Sequence, residues 1–194
     1  MPKAKKSDIP LMIDILTQSF VDNPSANWVL KDDNKKLGRL RELCRYSILT
    51  AMDRDGAYIS EDKLGVALCY QKNIKKEGIK DWLRQIRLVV KSMGLKKAIE
   101  AMKRESTINK QRPNDGNFLY FWFLGVLPNK RGLGSAISLK NEIMKEAQEK
   151  GLDIYLETSV PQNKRVYERY GFKTYHTWKI KDPELEMWFL KYRV

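Results

Sequence analysis

The sequence predicts a mixed α/β fold, and three observations lead to it. Apolar residues recur at helical spacing in some segments and as short strand-like runs in others. The two kinds of segment interleave along the chain. The most apolar run, residues 117–126, leads through a turn with two glycines into an amphipathic helix. With 42% hydrophobic and 31% charged residues in 194, the chain can bury one substantial core, and it reads as a single domain over 1–194.

Ser7 stands before Ile9, Met12, Ile13, Leu16 and Phe20, which share one helical face, so a first helix is expected from about residue 8 with Ser7 as its cap. Past the turn-rich residues 21–27 (VDNPSAN), Leu37, Leu40, Leu43, Cys44, Ile48 and Leu49 predict a second helix from about Asn34 to Met52. Residues 56–60 (GAYIS) and 64–71 (LGVALCYQ), joined by Glu61, Asp62 and Lys63, read as an antiparallel hairpin. Helical spacing returns over 78–105, interrupted at Gly94, and ends in the turn Pro113 to Gly116, which marks a helical insertion of about 74–112.

Residues 117–126 (NFLYFWFLGV) are too apolar to alternate, which suits a central strand buried on both faces. Leu133, Ala136, Ile137, Leu139, Ile143, Met144 and Ala147 then predict a helix closed by Gly151. A second unit follows: a strand at 152–159, a short helix at 163–170 closed by Gly171, and two last strands at 172–180 and 184–193.

Composition excludes several classes. No apolar run approaches the roughly 18 to 20 residues of a membrane span, and the N-terminal cations are followed by no apolar block of the secretory kind, so a cytoplasmic protein with no membrane partner is expected. Cys44 and Cys69 sit in apolar contexts without metal-ligand or disulfide spacing, and His176 is the only histidine, so no metal is expected. The net charge of +13 is concentrated: residues 72–112 hold 13 Lys or Arg against 4 Asp or Glu, a balance of +9. Such a segment marks nucleic acid, anionic lipid or an anionic cofactor, or else a solvated helix face, since Trp82, Leu83, Ile86, Val89, Val90 and Leu95 lie between its cations at helical spacing.

The turn that opens the helix at 135 reads VLPNKRGLGSA, residues 126–136. A helix N-terminus presents N–H groups without intrahelical partners and about half a positive charge, and glycines clear the approach to it. Backbone N–H groups of Gly132, Leu133, Gly134, Ser135 and Ala136 can form a nest for a diphosphate, with Lys130 and Arg131 at its rim. The spacing matches neither GxxxxGK[ST] nor GxGxxG. A plain helix-capping loop stays open as the other reading.

In its setting this stretch resembles the coenzyme A pyrophosphate loop of the GNAT acyltransferases, V-x-P followed by [Q/R]-x-x-G-x-[G/A]. Val126 and Pro128 take the leading places, and Arg131, Gly134 and Ala136 the loop places. Downstream, Asn163, Tyr167, Gly171 and Phe172 match a second GNAT signature, an asparagine followed by Y-E-x-x-G-F. The resemblance is strong over 117–173 and carries no motif across 74–112. It implies a twisted, mostly antiparallel sheet flanked by helices, with a parallel strand pair that splays apart to form an acetyl-CoA cleft. It further implies that backbone groups of Leu124 and Val126 pair with the pantetheine arm, that Arg131 to Ala136 hold the pyrophosphate, and that Asn163 and Tyr167 contact the cofactor. Gly125 is expected to form the bulge that opens the cleft.

The implied reaction is direct attack of a primary amine on the acetyl thioester of acetyl-CoA in a ternary complex, which needs no enzyme nucleophile. The resemblance makes Tyr167 the general acid at the sulfur and the Val126 N–H an oxyanion donor. The family's usual strand carboxylate is missing from 117–126, which leaves Glu157 as the candidate base, with a surface salt bridge as its other reading. Trp122, Trp82 and Tyr58 are candidate linings of an acceptor pocket, core packing being the alternative. Two further functions stay open: a coenzyme A-binding module without turnover, and a basic nucleic-acid or ribosome-binding protein, although no RNP, KH or zinc signature is present.

Overall fold

The computed structural model describes residues 3–31, 33–76, 78–180 and 185–194. Glu77 and Glu184, at the edges of the expected insertion and last strand, lie outside them. Helix α1 (Ile9–Phe20) is entered not through Ser7 but through a 3-10 turn, Lys6–Asp8, whose Asp8 carboxylate accepts from the Lys5 N–H at 2.7 Å. A second helix, α2 (Pro24–Val29), stands where the sequence signals a turn. Asn23 caps it by accepting from the Ala26 N–H at 3.0 Å, and Pro24 is its first residue, where proline's missing N–H costs no bond. Asn-Pro carries the same local signal for a turn as for a helix start. Helix α3 (Lys36–Met52) buries Leu40, Leu43, Cys44 and Ile48, as its spacing predicts.

Six strands form one sheet: β1 (Ala57–Ile59), β2 (Gly65–Gln71), β3 (Leu119–Val126), β4 (Ile154–Thr158), β5 (Lys173–Ile180) and β6 (Leu185–Tyr192). Their spatial order is β1-β2-β3-β4-β6-β5, and every neighbouring pair is antiparallel except β3 and β4. The mixed, mostly antiparallel sheet with one parallel pair agrees with the class predicted from sequence. A parallel pair needs a long crossover, supplied here by α6 (Ser135–Lys150), which Gly151 closes in a left-handed conformation. The short α7 (Pro161–Arg169) follows β4.

Helices α1 and α3 cover one face of the sheet, where Met12, Leu16, Leu40 and Ile48 pack with Val66, Leu68 and Tyr120. Helix α6 covers the other, where Leu139, Ile143 and Ala147 pack with Ala67, Cys69, Leu119 and Phe121. Both cysteines are free and buried. Burial pushes the Cys44 thiol up to about 11, which keeps it protonated and unreactive at neutral pH.

Between β2 and β3 run α4 (Ile79–Leu88), one wide helical turn at Val89–Met93, and α5 (Gly94–Asn109), with Gly94 at φ +73°. Their orientation departs from the sequence expectation. Asp81 and Leu88 face inward on α4, and Ala98, Arg104 and Ile108 on α5, whereas Trp82, Leu83, Ile86, Val90 and Leu95 point to solvent. Asp81 is drawn inward by the Gly78 N–H at 3.0 Å and by three cations within 4 Å: Arg54, Lys75 and Arg84.

Candidate functional site

Strands β3 and β4 pair at only two positions, Leu119 with Ile154 and Tyr120 with Tyr155. From Phe121 to Val126, β3 keeps its partner β2 on one edge and loses β4 on the other. Backbone N–H and C=O groups on an edge without a neighbouring strand are strong hydrogen-bonding groups that take other partners. The half-buried Leu124 and Val126 stand at its far end.

One extra residue in β3 sharpens this parting. Cys69 faces Phe121 and Leu68 faces Phe123, so Trp122 has no opposite number and is the bulged residue. Alternation fails there: Tyr120, Trp122 and Phe123 lean to the α1 and α3 face, while Phe121 and Leu124 lean to the α6 face. Gly125, expected to be the bulge, instead pairs regularly with Val66. It is glycine because α1 comes close: a Cβ there would lie 2.9 Å from Leu16 Cδ2 and 3.0 Å from Ser19 Oγ. Ser19 in turn donates to the Val126 carbonyl at 2.8 Å. Gly125→Ala is expected to destabilise the fold by about 1 to 3 kcal/mol, measured by denaturant unfolding, because the new methyl must push Ser19 off Val126.

After β3 the chain makes a 3-10 turn, Pro128–Lys130, and reaches Gly132 and Gly134 at φ +87° and +93°. A Cβ at either would meet nothing within 4 Å, so the glycines are required by backbone conformation and leave open space in front of the helix. Gly134 is the N-cap of α6 and gives its first turn no side-chain cap. Lys130, Arg131 and Leu133 are exposed around it. Ser135 is buried, and its hydroxyl donates to Asp62 Oδ2 at 2.6 Å, in the turn between β1 and β2. That bond, with one from Ser60, holds the Asp62 carboxyl below its usual range. Ser135 therefore offers the loop its backbone N–H alone, and Asp62 ties the helix start to the hairpin.

Tyr167, on α7, lies edge-on to Phe121 at 6.1 Å and to Phe172 at 5.6 Å, which sets its ring at the first β3 residue beyond the β3–β4 pairing. Burial pushes its phenol up, so the group is protonated at neutral pH. Among the described residues its hydroxyl has no hydrogen-bond partner. Asn163 is exposed in the first turn of α7, where Val160 and not Asn163 is the N-cap.

Glu157, on β4, is not at a surface turn. Arg112, just past α5, holds it with two bonds, Nε to Oε1 at 2.8 Å and Nη2 to Oε2 at 2.6 Å. The Arg112 guanidinium also lies 4.0 Å from the Tyr120 ring centroid and donates to Asn109 at 2.9 Å. Burial opposes its charge, but Tyr120 and Glu157 more than reverse that and push its pKa up. Of the three acceptor-pocket aromatics, only Trp122 lies at the parting of β3 and β4, with Tyr46, Tyr70 and Tyr120 around it. Tyr58 is buried on the α6 face and donates to Glu146, and Trp82 is on the outer side of α4.

Sequence reasoning missed Ser19, Asp62 and Arg112. Ser19 is one polar residue in an amphipathic helix, and Arg112 and Glu157 are 45 positions apart, so no local pattern points to either. Among the described residues, no group of three or more His, Cys, Asp or Glu is placed to hold a metal ion, and no helix is long and apolar enough to cross a membrane.

Residues 95–172 match the model of the acetyltransferase (GNAT) family. An uncharacterized protein of Saccharomyces cerevisiae is 33% identical over 75 residues, which is 38% of this chain and 32% of that protein. The match thus spans about a third of the yeast protein's length. Among solved structures, one described as histone acetyltransferase HPA2 and related acetyltransferase from Corynebacterium glutamicum superposes with a TM-score of 0.68 at 21% identity, covering 96% of this chain and 93% of the other. Arylalkylamine N-acetyltransferase 2 from Aedes aegypti superposes with a TM-score of 0.65 at 19% identity, covering 99% and 97%. At such identities the likeness is one of fold.

Proposed function

Because residues 95–172 are a GNAT acetyltransferase segment set in a GNAT fold, we propose that this protein moves an acetyl group from acetyl-CoA to a primary amine by direct attack in a ternary complex. The observation that carries the reading is the parting of β3 from β4 immediately before an open glycine loop at a helix N-terminus. In this reading the free edge of β3, through Leu124 and Val126, takes the pantetheine amides. The N–H groups of Gly132 to Ala136, with Arg131, take the pyrophosphate. Asn163, exposed at the start of α7, meets the cofactor beyond it.

The alkylammonium form of the acceptor must first lose a proton, which costs about 4 to 5 kcal/mol at neutral pH for a group of pKa near 10.4. Glu157 is the proposed base. Both its oxygens already accept from Arg112, so it works through its remaining lone pairs and an intervening water. The attack then builds negative charge on the acetyl oxygen, met by the Val126 N–H, and Ser19 anchors that residue from the following peptide through its bond to the Val126 carbonyl. Collapse expels the coenzyme A thiolate, which takes the Tyr167 proton, and the second proton that the nitrogen sheds as the amide forms passes through solvent to reprotonate the phenolate. Donor and acceptor approach from opposite faces: the loop and Tyr167 lie with α6 and α7, while Trp122 and Glu157 lie with α1 and α5.

Calorimetry with acetyl-CoA followed by thiol release over a panel of amines tests the proposal. Binding with turnover supports it, binding without turnover on any amine reduces the protein to a coenzyme A-binding module, and no binding removes the reading altogether. Gly134→Asp places a carboxylate and a strained φ at the loop, and is expected to raise KM for acetyl-CoA by on the order of tenfold at unchanged kcat. An unchanged KM in steady-state assays removes the loop from the cofactor site.

A further inference from the structure

The strongest feature that acetyl transfer leaves unused is the outward side of α4 and α5. On α4 and the wide turn after it, Ile79, Trp82, Leu83, Ile86 and Val90 follow one another at i, i+3, i+4, i+7 and i+11, and on α5, Leu95, Ile99 and Met102 at i, i+4 and i+7. All eight are between 40% and 79% exposed. Asp81 and Leu88, on the opposite side of α4, are buried, so the apolar stripe points away from the protein body. Water-facing apolar stripes of this extent on a soluble fold mark a surface that meets another apolar phase.

The charges beside the stripe select that phase. Lys80, Arg84, Arg87 and Lys91 recur at i, i+4, i+7 and i+11 along one flank of α4 and the turn after it, and Lys96, Lys103 and Lys110 along one flank of α5 and its C-terminal cap. Arg84 and Arg87 pair with Asp53 and Glu42. Lys80, Lys91, Lys96 and Lys103 are exposed and have no ion pair among the described residues. A second copy of the chain would bring rows of like charge together. RNA would meet the cations and leave the aliphatic stripe in water. An apolar stripe carrying a tryptophan and flanked by lysines matches a helix lying in the interface of an anionic bilayer, side chains in the acyl boundary and ammonium groups at the phosphates.

We propose that the outward face of α4 and α5 docks the protein on an anionic lipid surface as a peripheral, non-spanning contact. The proposal is independent of the acetyl-transfer reading. The test is co-sedimentation of the full chain with phosphatidylcholine vesicles, with and without added phosphatidylserine, alongside tryptophan emission. Binding to the serine-containing vesicles that weakens with salt is expected, with an emission blue shift that Trp82→Phe abolishes. Trp82→Glu combined with Ile86→Glu is expected to lower vesicle affinity at least about tenfold, and each of Lys80→Glu and Lys91→Glu by roughly fivefold. Both sites are exposed, and circular dichroism melts of the variants checks that the fold is retained. Absence of binding at low salt, equal binding to neutral vesicles, or variants that bind like the parent overturns the proposal. So does a self-association, measured by ultracentrifugation, that Trp82→Glu with Ile86→Glu removes, since it gives the face to a second copy.

Discussion

Replacing Tyr167 with phenylalanine is expected to lower kcat by on the order of a hundredfold while leaving KM for acetyl-CoA and thermal stability nearly unchanged. The split follows from what the residue touches. Its ring packs on Phe121 and Phe172, and phenylalanine keeps those contacts. Its hydroxyl has no partner among the described residues, so removing it breaks no bond in the resting protein. The pH profile adds a second readout. Burial raises the phenol above its ordinary value near 10, and a general acid works only while protonated. The wild-type rate should therefore show no loss from Tyr167 ionisation up to about pH 10, and a phenol-dependent decline belongs above that. Steady-state rates of both proteins across pH 7 to 10 decide the matter. A Tyr167→Phe protein with the parent's kcat would remove the residue from the chemistry and leave it as packing.

Arg112→Met is expected to cost about 3 to 5 kcal/mol of folding stability, read from the shift in denaturant midpoint. The reason is the carboxylate left behind. Glu157 is nearly buried on β4 and receives two hydrogen bonds from Arg112, and without them it must stay charged in a poorly solvated place or take up a proton. Arg112→Met combined with Glu157→Leu should recover most of the loss, because two apolar groups of similar volume replace a desolvated pair. Activity should not return with stability, since the double variant lacks the proposed base. If the single variant is as stable as the parent, the pair is solvated and Arg112 does not fix the site. Arg112 also joins the end of α5 to the sheet through Asn109 and Tyr120, so faster proteolysis between 79 and 112 is expected in the single variant.

The residues that were legible in the sequence are those whose role is local. α1, α3 and α6 lie where apolar spacing puts them, β3 is central because Leu119 to Phe123 are apolar on both faces, and the glycine loop is visible from Gly132 and Gly134 at a strand-to-helix junction. What stayed hidden is nonlocal or degenerate. Asn23-Pro24 starts a helix with the residues of a turn. The spacing of Trp82, Leu83 and Ile86 identifies a helix face but carries no information about which face meets the core, and here buried Asp81, held by three cations, turned the helix over. A glycine inside a strand suggests a bulge, but the cause of Gly125 lies on α1, more than a hundred positions away, at Leu16 and Ser19. Arg112 and Glu157 meet only once the sheet exists.

The unmatched Trp122 gives β3 a change of phase partway along its length. Upstream of it, even-numbered residues serve the α1 and α3 side, and downstream, from Phe123, the odd ones do. Strand β3 therefore behaves as two half-strands of opposite parity spliced at one residue. Deleting Trp122 would remove more than an indole: Phe121 and Phe123 would follow one another opposite Cys69 and Leu68, the strand would alternate regularly along its whole length, and the bend and twist that the extra residue gives it where it parts from β4 would be lost. Point substitutions at this site leave the splice in place, whereas loss of one residue removes it and straightens the strand where it leaves β4. In related chains the length of this strand should thus vary far less than the identity of the residue at its splice.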